Sequence, residues 1–491
     1  MVEYGVNRLS GKKDVPAVPL IVDLDGTLTR TDTTYELLIL FLKKFPLTGW
    51  LRVLLWRKRG LAKMKAQLVA HVGERFDETT LPYTTALLES PVYAEAEHRV
   101  LVSGAQRDVV ENVAKHVGDF ESFVGTGEGR NLTSRTKADY LVATYPDGFD
   151  YIGNSSEDLS VWKKARKSYA VNATSSVLEK AKSENISLEV LVPRFPQRAS
   201  FIKEMRLHQW AKNTLLFVVP ALNLAALTPL AILGLLGIFV AFGLVASATY
   251  VLNDLLDLQE DRKHHSKSKR PLAAGVLDVK NGIIGTVGLF VIGMALALLI
   301  NPGVSLLILI YAAVSLSYSL YFKRLVILDA IVLAFLFCWR ILVGGVVIGQ
   351  SANEWFMTAV GAFFLSLAFG KRCIELERRR TIDAKGPDVQ MLGRGYVGRD
   401  LPVVMSLGIV SGLIAPVIVL IYVFLSGSSI VNHITSASAL AVLLCYWISR
   451  FWILVNRGAV HDDPIIFALK DKVSFILLVA MAVILVVEQA T

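Results

Sequence analysis

The sequence predicts two folds in one chain, a soluble α/β domain followed by an all-α bundle of nine membrane spans. Three observations predict it. The 491 residues are 53% hydrophobic, with a mean hydropathy of +0.50, too apolar for an ordinary soluble enzyme. The apolar content is uneven: up to about Lys203 the chain reads as mixed and charged, and after Trp210 it becomes a series of apolar runs. Those runs are near 20 residues, the length that crosses a hydrocarbon core of about 30 Å. The charged part, in turn, ends a short apolar strand in a pair of carboxylates, within Pro19–Asp32. These shifts predict an extension at 1–17, an α/β domain at 18–185 with a helical insertion at about 35–90, a linker at 186–205 and a membrane domain at 206–491.

The bulk numbers also exclude some classes. A net charge of +9 is expected from Lys and Arg gathered in cytoplasmic loops against anionic lipid, so no nucleic-acid partner is expected. Cys338, Cys373 and Cys445 have no paired spacing, which indicates neither a disulfide framework nor a zinc site. The opening MVEYGVNRLSGKKDVP has no apolar core, so no secretory signal is expected.

In PLIVDLDGTLTRTD, alternation along a strand points Asp23 and Asp25 to one side, and Gly26 lets the chain turn at once. That arrangement suits a carboxylate nucleophile attacking phosphorus, with its neighbour as general acid and base. HRVLVSG ends a second strand at Ser103, whose hydroxyl is placed to hold a phosphate oxygen. Lys137, in NLTSRTKADYL, offsets phosphoryl charge, and FDYIGNSSEDLSVW supplies Asn154 and Asp158 for magnesium.

The four motifs, in this order and spacing, resemble the haloacid dehalogenase (HAD) phosphatase superfamily over roughly 18–180. The resemblance implies a Rossmann-like α/β fold with a helical cap, Asp23 as nucleophile and Asp25 as acid/base. It implies Ser103 and Lys137 as phosphate ligands and Mg2+ at Asp23, Asp25, Asn154 and Asp158. Asn154 stands where the family usually has an Asp, one charge fewer. A folded but inactive or regulatory domain is the alternative. The cap stretch 41–71 is basic and interleaved with Trp50, Leu51, Leu54, Leu55 and Trp56. Two readings stay open for it: a membrane-interface segment, or a cap helix packed on the core.

Nine apolar segments are expected, at 211–226, 230–254, 281–300, 304–321, 326–348, 355–377, 401–425, 436–455 and 473–488. Alternate connections, at 257–280, 322–325, 371–400 and 456–472, hold six, two, eight and three Lys or Arg, and the others hold none. This bias puts the α/β domain in the cytoplasm, the chain in the inner membrane and the C-terminus outside.

At 100° per residue, Asn253, Asp254, Asp257 and Asp261 fall within an arc of about 100° on one helix face. Oxygen ligands so placed hold magnesium against a diphosphate, whereas an idle acidic cluster there is repulsive. Asp329 and Arg340 share a face of the fifth segment, about 16 Å apart along its axis. Lys371, Arg372 and Glu375 cluster at the inner end of the sixth, and Lys323 and Arg324 follow Tyr318 and Tyr321 at the end of the fourth. Arg206, Gln209, Trp210, Lys212 and Asn213 mark the start of the first. Each alone reads as an ion pair or a snorkelling side chain; together they read as an anion site.

The motif NDxxDxxxD at Asn253–Asp261, within 200–490, resembles the UbiA superfamily of intramembrane prenyltransferases, for which nine spans is the usual count. Where most members carry a second DxxxD motif, this chain has KRCIE (Lys371–Glu375). That departure, with RLHQWAKN at Arg206–Asn213, looks most like the polyprenyl-phosphate phosphoribosyltransferases.

The resemblance implies that phosphoribosyl pyrophosphate is the donor and a polyprenyl phosphate the acceptor. Asn253, Asp254, Asp257 and Asp261 would hold Mg2+ and the diphosphate, with Asp254 and Asp257 closest to the chemistry. Lys212, Asn213, Lys323, Arg324, Arg340, Lys371, Arg372 and Glu375 would form the substrate site. The fused phosphatase would then remove the 5-phosphate. The alternatives are a prenyl transfer from prenyl diphosphate to an aromatic or other acceptor, and a transporter or scaffold with an inert α/β domain.

Overall fold

A computed structural model describes residues 7–8, 18–127, 132–383, 394–425, 431–460 and 463–490. The expected extension at 1–17 lies almost wholly outside the described residues. The chain forms two compact units, one of residues 1–206 with 250–287, the other of 207–249 with 288–491.

The first unit holds a seven-stranded sheet: β1 (Asn7–Arg8), β2 (Leu20–Val22), β3 (Arg99–Gln106), β4 (Ser122–Thr126), β5 (Asp150–Gly153), β6 (Ser168–Val171) and β7 (Leu188–Val192). Their order is β1-β4-β3-β2-β5-β6-β7, parallel except for β1. Leu20, Ile21 and Val22 are buried because helices cover both faces, the usual state of a parallel sheet. β2 lies between β3 and β5, so the carboxyl ends of all three open on one edge. Ligands of open α/β sheets bind at such an edge. β3 runs past Ser103 to Gln106, with a register shift after Val102.

The insertion after β2 is helical, as expected: α1 (Thr33–Lys44), α2 (Gly49–Lys58) and α3 (Leu61–Val72). Phe41, Met64, Leu68 and Val72 are buried where α1 and α3 join the domain core. On α2, Trp56 packs on Phe41, whereas Trp50, Leu51, Leu54 and Leu55 are between 48 and 56% exposed.

Among the described residues, seven helices are long and apolar enough to cross a membrane: Pro229–Leu256, Val279–Ile300, Pro302–Leu320, Leu328–Val347, Glu354–Arg378, Gly398–Leu425 and Thr435–Asn456. These account for the second to eighth expected segments. The ninth is the helix Lys472–Ala490, apolar over the shorter stretch Lys472–Ile484. The first, 211–226, is instead a tight 3-10 stretch, Leu207–Phe217, followed by the short helix Val218–Leu222. Hydropathy alone does not foresee this. Pro220 brings no backbone N–H, and Asn213 and Leu216 are held against the second unit's helices. Gly344 permits that fit, because a Cβ there would meet the carbonyl oxygen of Leu216 at 1.8 Å.

Within the second unit, small residues let the last spans close on one another. Ser366 donates to the carbonyl of Gly408 at 2.6 Å and accepts from the Trp452 indole at 3.0 Å. In lipid such polar groups must find partners inside the protein.

Candidate active sites

At the carboxyl edge of the sheet, Asp23 follows β2 directly and is buried. Gly26 takes φ 76° to reverse the chain, and a Cβ there would strike the Asn154 amide at 1.9 Å. Asn154, arriving just after β5, therefore sits against the Asp23–Gly26 turn.

Lys137 Nζ stands 2.6 Å from Asp23 and 3.9 Å from Asp158. Asp158 accepts from the Tyr151 hydroxyl at 2.5 Å with one oxygen. Its other oxygen accepts from the backbone N–H groups of Asn154 and Ser155, at 3.0 and 2.9 Å. It thus shapes the loop that presents Asn154. Ser103 is buried in β3, its hydroxyl accepting from Ala105 N–H at 3.1 Å. Asp25 accepts from Thr33 N–H at 2.8 Å, at the start of α1, where Asp32 is the N-cap.

Burial pushes the Asp23 carboxyl up to about 6, Lys137 opposing the shift and Asp158 adding to it. Asp25 is pushed to about 8, first by burial and then by Asp32, with Lys65 opposing. Lys65, on α3, is buried and donates to the carbonyl of Gly104 at 2.6 Å. It is a cation of the cap that no motif announces.

The Asp-rich segment lies in the same unit. The helix Pro229–Leu256 breaks at Asp257, whose backbone sits at φ −108°, and a short helix, Leu258–Arg262, follows. The four oxygen residues are therefore on a bent helix end, although the i to i+4 bonds Asp257 N to Asn253 O and Asp261 N to Asp257 O survive. Arg270 joins Asp254 and Asp261, at 2.9 and 2.5 Å, and Arg206 also pairs with Asp254. Lys43, from α1, reaches Asp257 at 3.1 Å.

Buried Glu204 lies against Asp254, and burial together with that neighbour raises its carboxyl to about 8. The Oδ1 of Asn253 is buried without a hydrogen-bond partner. An orphaned amide oxygen is a donor of the kind a hard divalent cation takes, and Asp254, Asp257 and Asp261, its neighbours in the chain, are carboxylates held by Arg206, Arg270 and Lys43. Among the described residues, no group of three or more His, Cys, Asp or Glu side chains is arranged to hold a metal ion.

In the second unit, Lys212 and Lys371 converge on Asp463, at 3.1 and 3.0 Å. Against the effect of its burial, the two ammonium groups hold the Asp463 carboxyl well below the usual range. Arg372 is fully buried, 2.5 Å from Asp329 and 2.5 Å from Glu375, and donates to Tyr318 at 2.9 Å. Arg394 closes the group at 3.2 Å from Glu375.

Arg340 does not share the Asp329 network. It donates to Asn213 at 3.2 Å, to the carbonyl of Leu336 at 2.7 Å and to Tyr311 at 2.6 Å, and lies over the Phe242 ring. Lys323 and Arg324 form the short turn Phe322–Arg324. Sequence reasoning missed Asp463, Glu204, Arg270 and Lys43 as site residues; Asp463 stands before Pro464, a helix-start signal that says nothing about the two lysines.

Residues 214–485 match the family model described as the UbiA prenyltransferase family. A Sinorhizobium fredii protein named "Uncharacterized protein y4nM" is 33% identical over 478 residues, covering 93% of this chain and 88% of that one. The nodulation protein NoeC of Azorhizobium caulinodans is 32% identical over 290 residues, 58% of this chain and 92% of its own length. Decaprenyl-phosphate phosphoribosyltransferase of Corynebacterium glutamicum is 34% identical over 188 residues, 38% of this chain and 57% of that protein.

Proposed function

The chain belongs to the UbiA prenyltransferase family and is a multi-pass membrane transferase, and we propose that it moves 5-phosphoribose from phosphoribosyl pyrophosphate to a polyprenyl phosphate. The observation that carries this reading is the pairing of Lys212 and Lys371 on Asp463. Two ammonium groups gathered at one carboxylate make a cationic, hydrogen-bonding cluster, which suits a phosphate better than an aromatic ring. Likeness over 188 residues to decaprenyl-phosphate phosphoribosyltransferase supports the same choice.

Asn253, Asp254, Asp257 and Asp261 would hold Mg2+, which supplies charge neutralisation of the diphosphate when bound. Arg206 and Arg270 keep Asp254 and Asp261 oriented meanwhile. A phosphate oxygen of the acceptor attacks the ribose anomeric carbon; the bond from that carbon to pyrophosphate breaks, and its electron pair leaves with pyrophosphate. In the second unit, Lys212 and Lys371 hold substrate phosphate in this reading, with Asn213, Lys323, Arg324, Arg340, Arg372 and Glu375 as its further substrate-binding residues.

The α/β domain, of HAD type in this reading, then removes the 5-phosphate. Asp23 attacks phosphorus and forms an acyl phosphate while Asp25 gives a proton to the departing ribose oxygen. Asp25 then takes a proton from a water that attacks that phosphorus, the bond to Asp23 breaks and inorganic phosphate leaves, with Ser103 and Lys137 holding the phosphoryl oxygens. Asp23, Asp25 and Asn154 would face its Mg2+, with Asp158 shaping their loop. A domain fused to the transferase meets that product at raised effective concentration. The positive-charge bias of the loops supports a cytoplasmic position for it.

The test uses the purified full-length protein in detergent with Mg2+, a polyprenyl phosphate and ribose-labelled donor. Label is expected in the lipid phase, and Asp254→Ala should abolish it. Transfer instead from a prenyl diphosphate to an aromatic acid, with none from the ribosyl donor, would sink the proposal.

A further inference from the structure

α1 of the α/β domain meets the Asp-rich segment inside one compact unit, and two charge pairs define the meeting. In its first turn, Glu36 binds Arg262 in a two-pronged pair, at 2.8 and 2.6 Å, with both side chains buried. Seven residues on, at the helix end, Lys43 donates to three acceptors: the Leu256 carbonyl at 2.7 Å, Asp257 at 3.1 Å and Glu260 at 2.9 Å. A spacing of seven puts Glu36 and Lys43 on one helix face. The charge order, acid then base on α1 against Arg262 and Asp257, admits one register, because the reverse brings like charges together.

The three acceptors of Lys43 are not equivalent. Leu256 ends a 28-residue helix, where the last carbonyls lack helical partners and the dipole is negative. Asp257 is the residue at which that helix breaks. An ammonium has three N–H groups, and here they tie the helix end to the carboxylate that follows it. Lys43 is therefore placed to fix both the bend and the direction of Asp257.

We propose that Lys43 is a positioning residue of the Asp-rich site, so that the N-terminal domain contributes a working part of the diphosphate-binding machinery. The proposal rests on the reading of Asn253–Asp261 as a magnesium–diphosphate site. α1 also begins at the other candidate site, where Asp25 accepts from Thr33 N–H at 2.8 Å. One helix of 12 residues thus runs from the Asp23–Asp25 turn to the Asp-rich bend.

The test is the affinity of the full-length protein in detergent for magnesium pyrophosphate, by titration calorimetry, which needs neither acceptor nor turnover. Partners that orient a metal ligand are worth about 10–100-fold in affinity, so Lys43→Ala should weaken binding by that factor. Lys43→Arg, which keeps the charge, should restore most of it. Glu36→Gln loosens the same docking without touching Asp257 and should cost less than Lys43→Ala.

Wild-type affinity in Lys43→Ala, or equal losses in Lys43→Ala and Glu36→Gln, would overturn the proposal, as would a wild-type protein that binds no magnesium pyrophosphate. A wild type that binds it yet transfers no ribose defeats the phosphoribosyl reading and leaves the role of Lys43 standing on the same comparison.

Discussion

Lys137 Nζ lies 2.6 Å from a carboxylate oxygen of Asp23, both buried at the carboxyl end of the sheet. Burial raises the Asp23 carboxyl, the Lys137 ammonium opposes the rise and Asp158 adds to it, leaving the pKa at about 6. Asp25, without such a partner at contact distance, stays protonated up to about 8.

Hydrolysis of a phosphate monoester such as p-nitrophenyl phosphate should then show a bell-shaped profile of kcat/KM. Attack needs ionised Asp23 and proton donation needs neutral Asp25, so the rate should rise and then fall with pH, bound Mg2+ moving both limits below the metal-free values of about 6 and about 8. Asp23→Asn should reduce the activity to background across the range. A flat profile in the wild type would remove these roles.

Arg372 and Asp329 are both fully buried within the membrane half, 2.5 Å apart. In Asp329→Ala the guanidinium keeps Glu375 and Tyr318 but loses one charge-assisted hydrogen bond, so stability should fall by about 1.5–3 kcal/mol. The double change Asp329→Leu with Arg372→Met should recover much of it. Thermal unfolding of the detergent-solubilised variants reads both, and a stable single variant would show that the pair is dispensable.

Lys371 shares Asp463 with Lys212 and is only partly buried, unlike Arg372. A charge-assisted hydrogen bond to phosphate is worth about 1.5–3 kcal/mol, which makes Lys371→Ala about 10–150-fold weaker in KM for a phosphate substrate. Steady-state transfer kinetics test this, with unchanged KM as the contrary result.

Trp50, Leu51, Leu54 and Leu55 are exposed on α2 among Arg52, Arg57 and Lys58. Of the two readings open for this stretch, the exposed apolar face favours the membrane interface over burial in the cap. In nanodiscs of brominated anionic lipid, the protein's tryptophan emission should be quenched more than that of Trp50→Phe. Equal quenching in the two proteins would place Trp50 away from lipid.

The sequence by itself determined the two-part organisation, the helical insertion and the acidic motifs. Apolar runs of span length, a strand ending in two carboxylates and an Asp-rich repeat at helical spacing are local signals carried by neighbouring residues. The same local signal misread 211–226: its hydropathy suits a span, whereas Pro220 and the contacts of Asn213 and Leu216 give a 3-10 stretch and a short helix.

Only the tertiary structure decided which charges meet. Lys43 and Asp257 are 214 residues apart, Lys212 and Asp463 are 251 apart, and no periodicity links either pair. It also separated Arg340 from Asp329, which share a helix yet bind different neighbours. A buried charge must be paired with whatever group packing brings within reach, and packing joins segments distant in the chain.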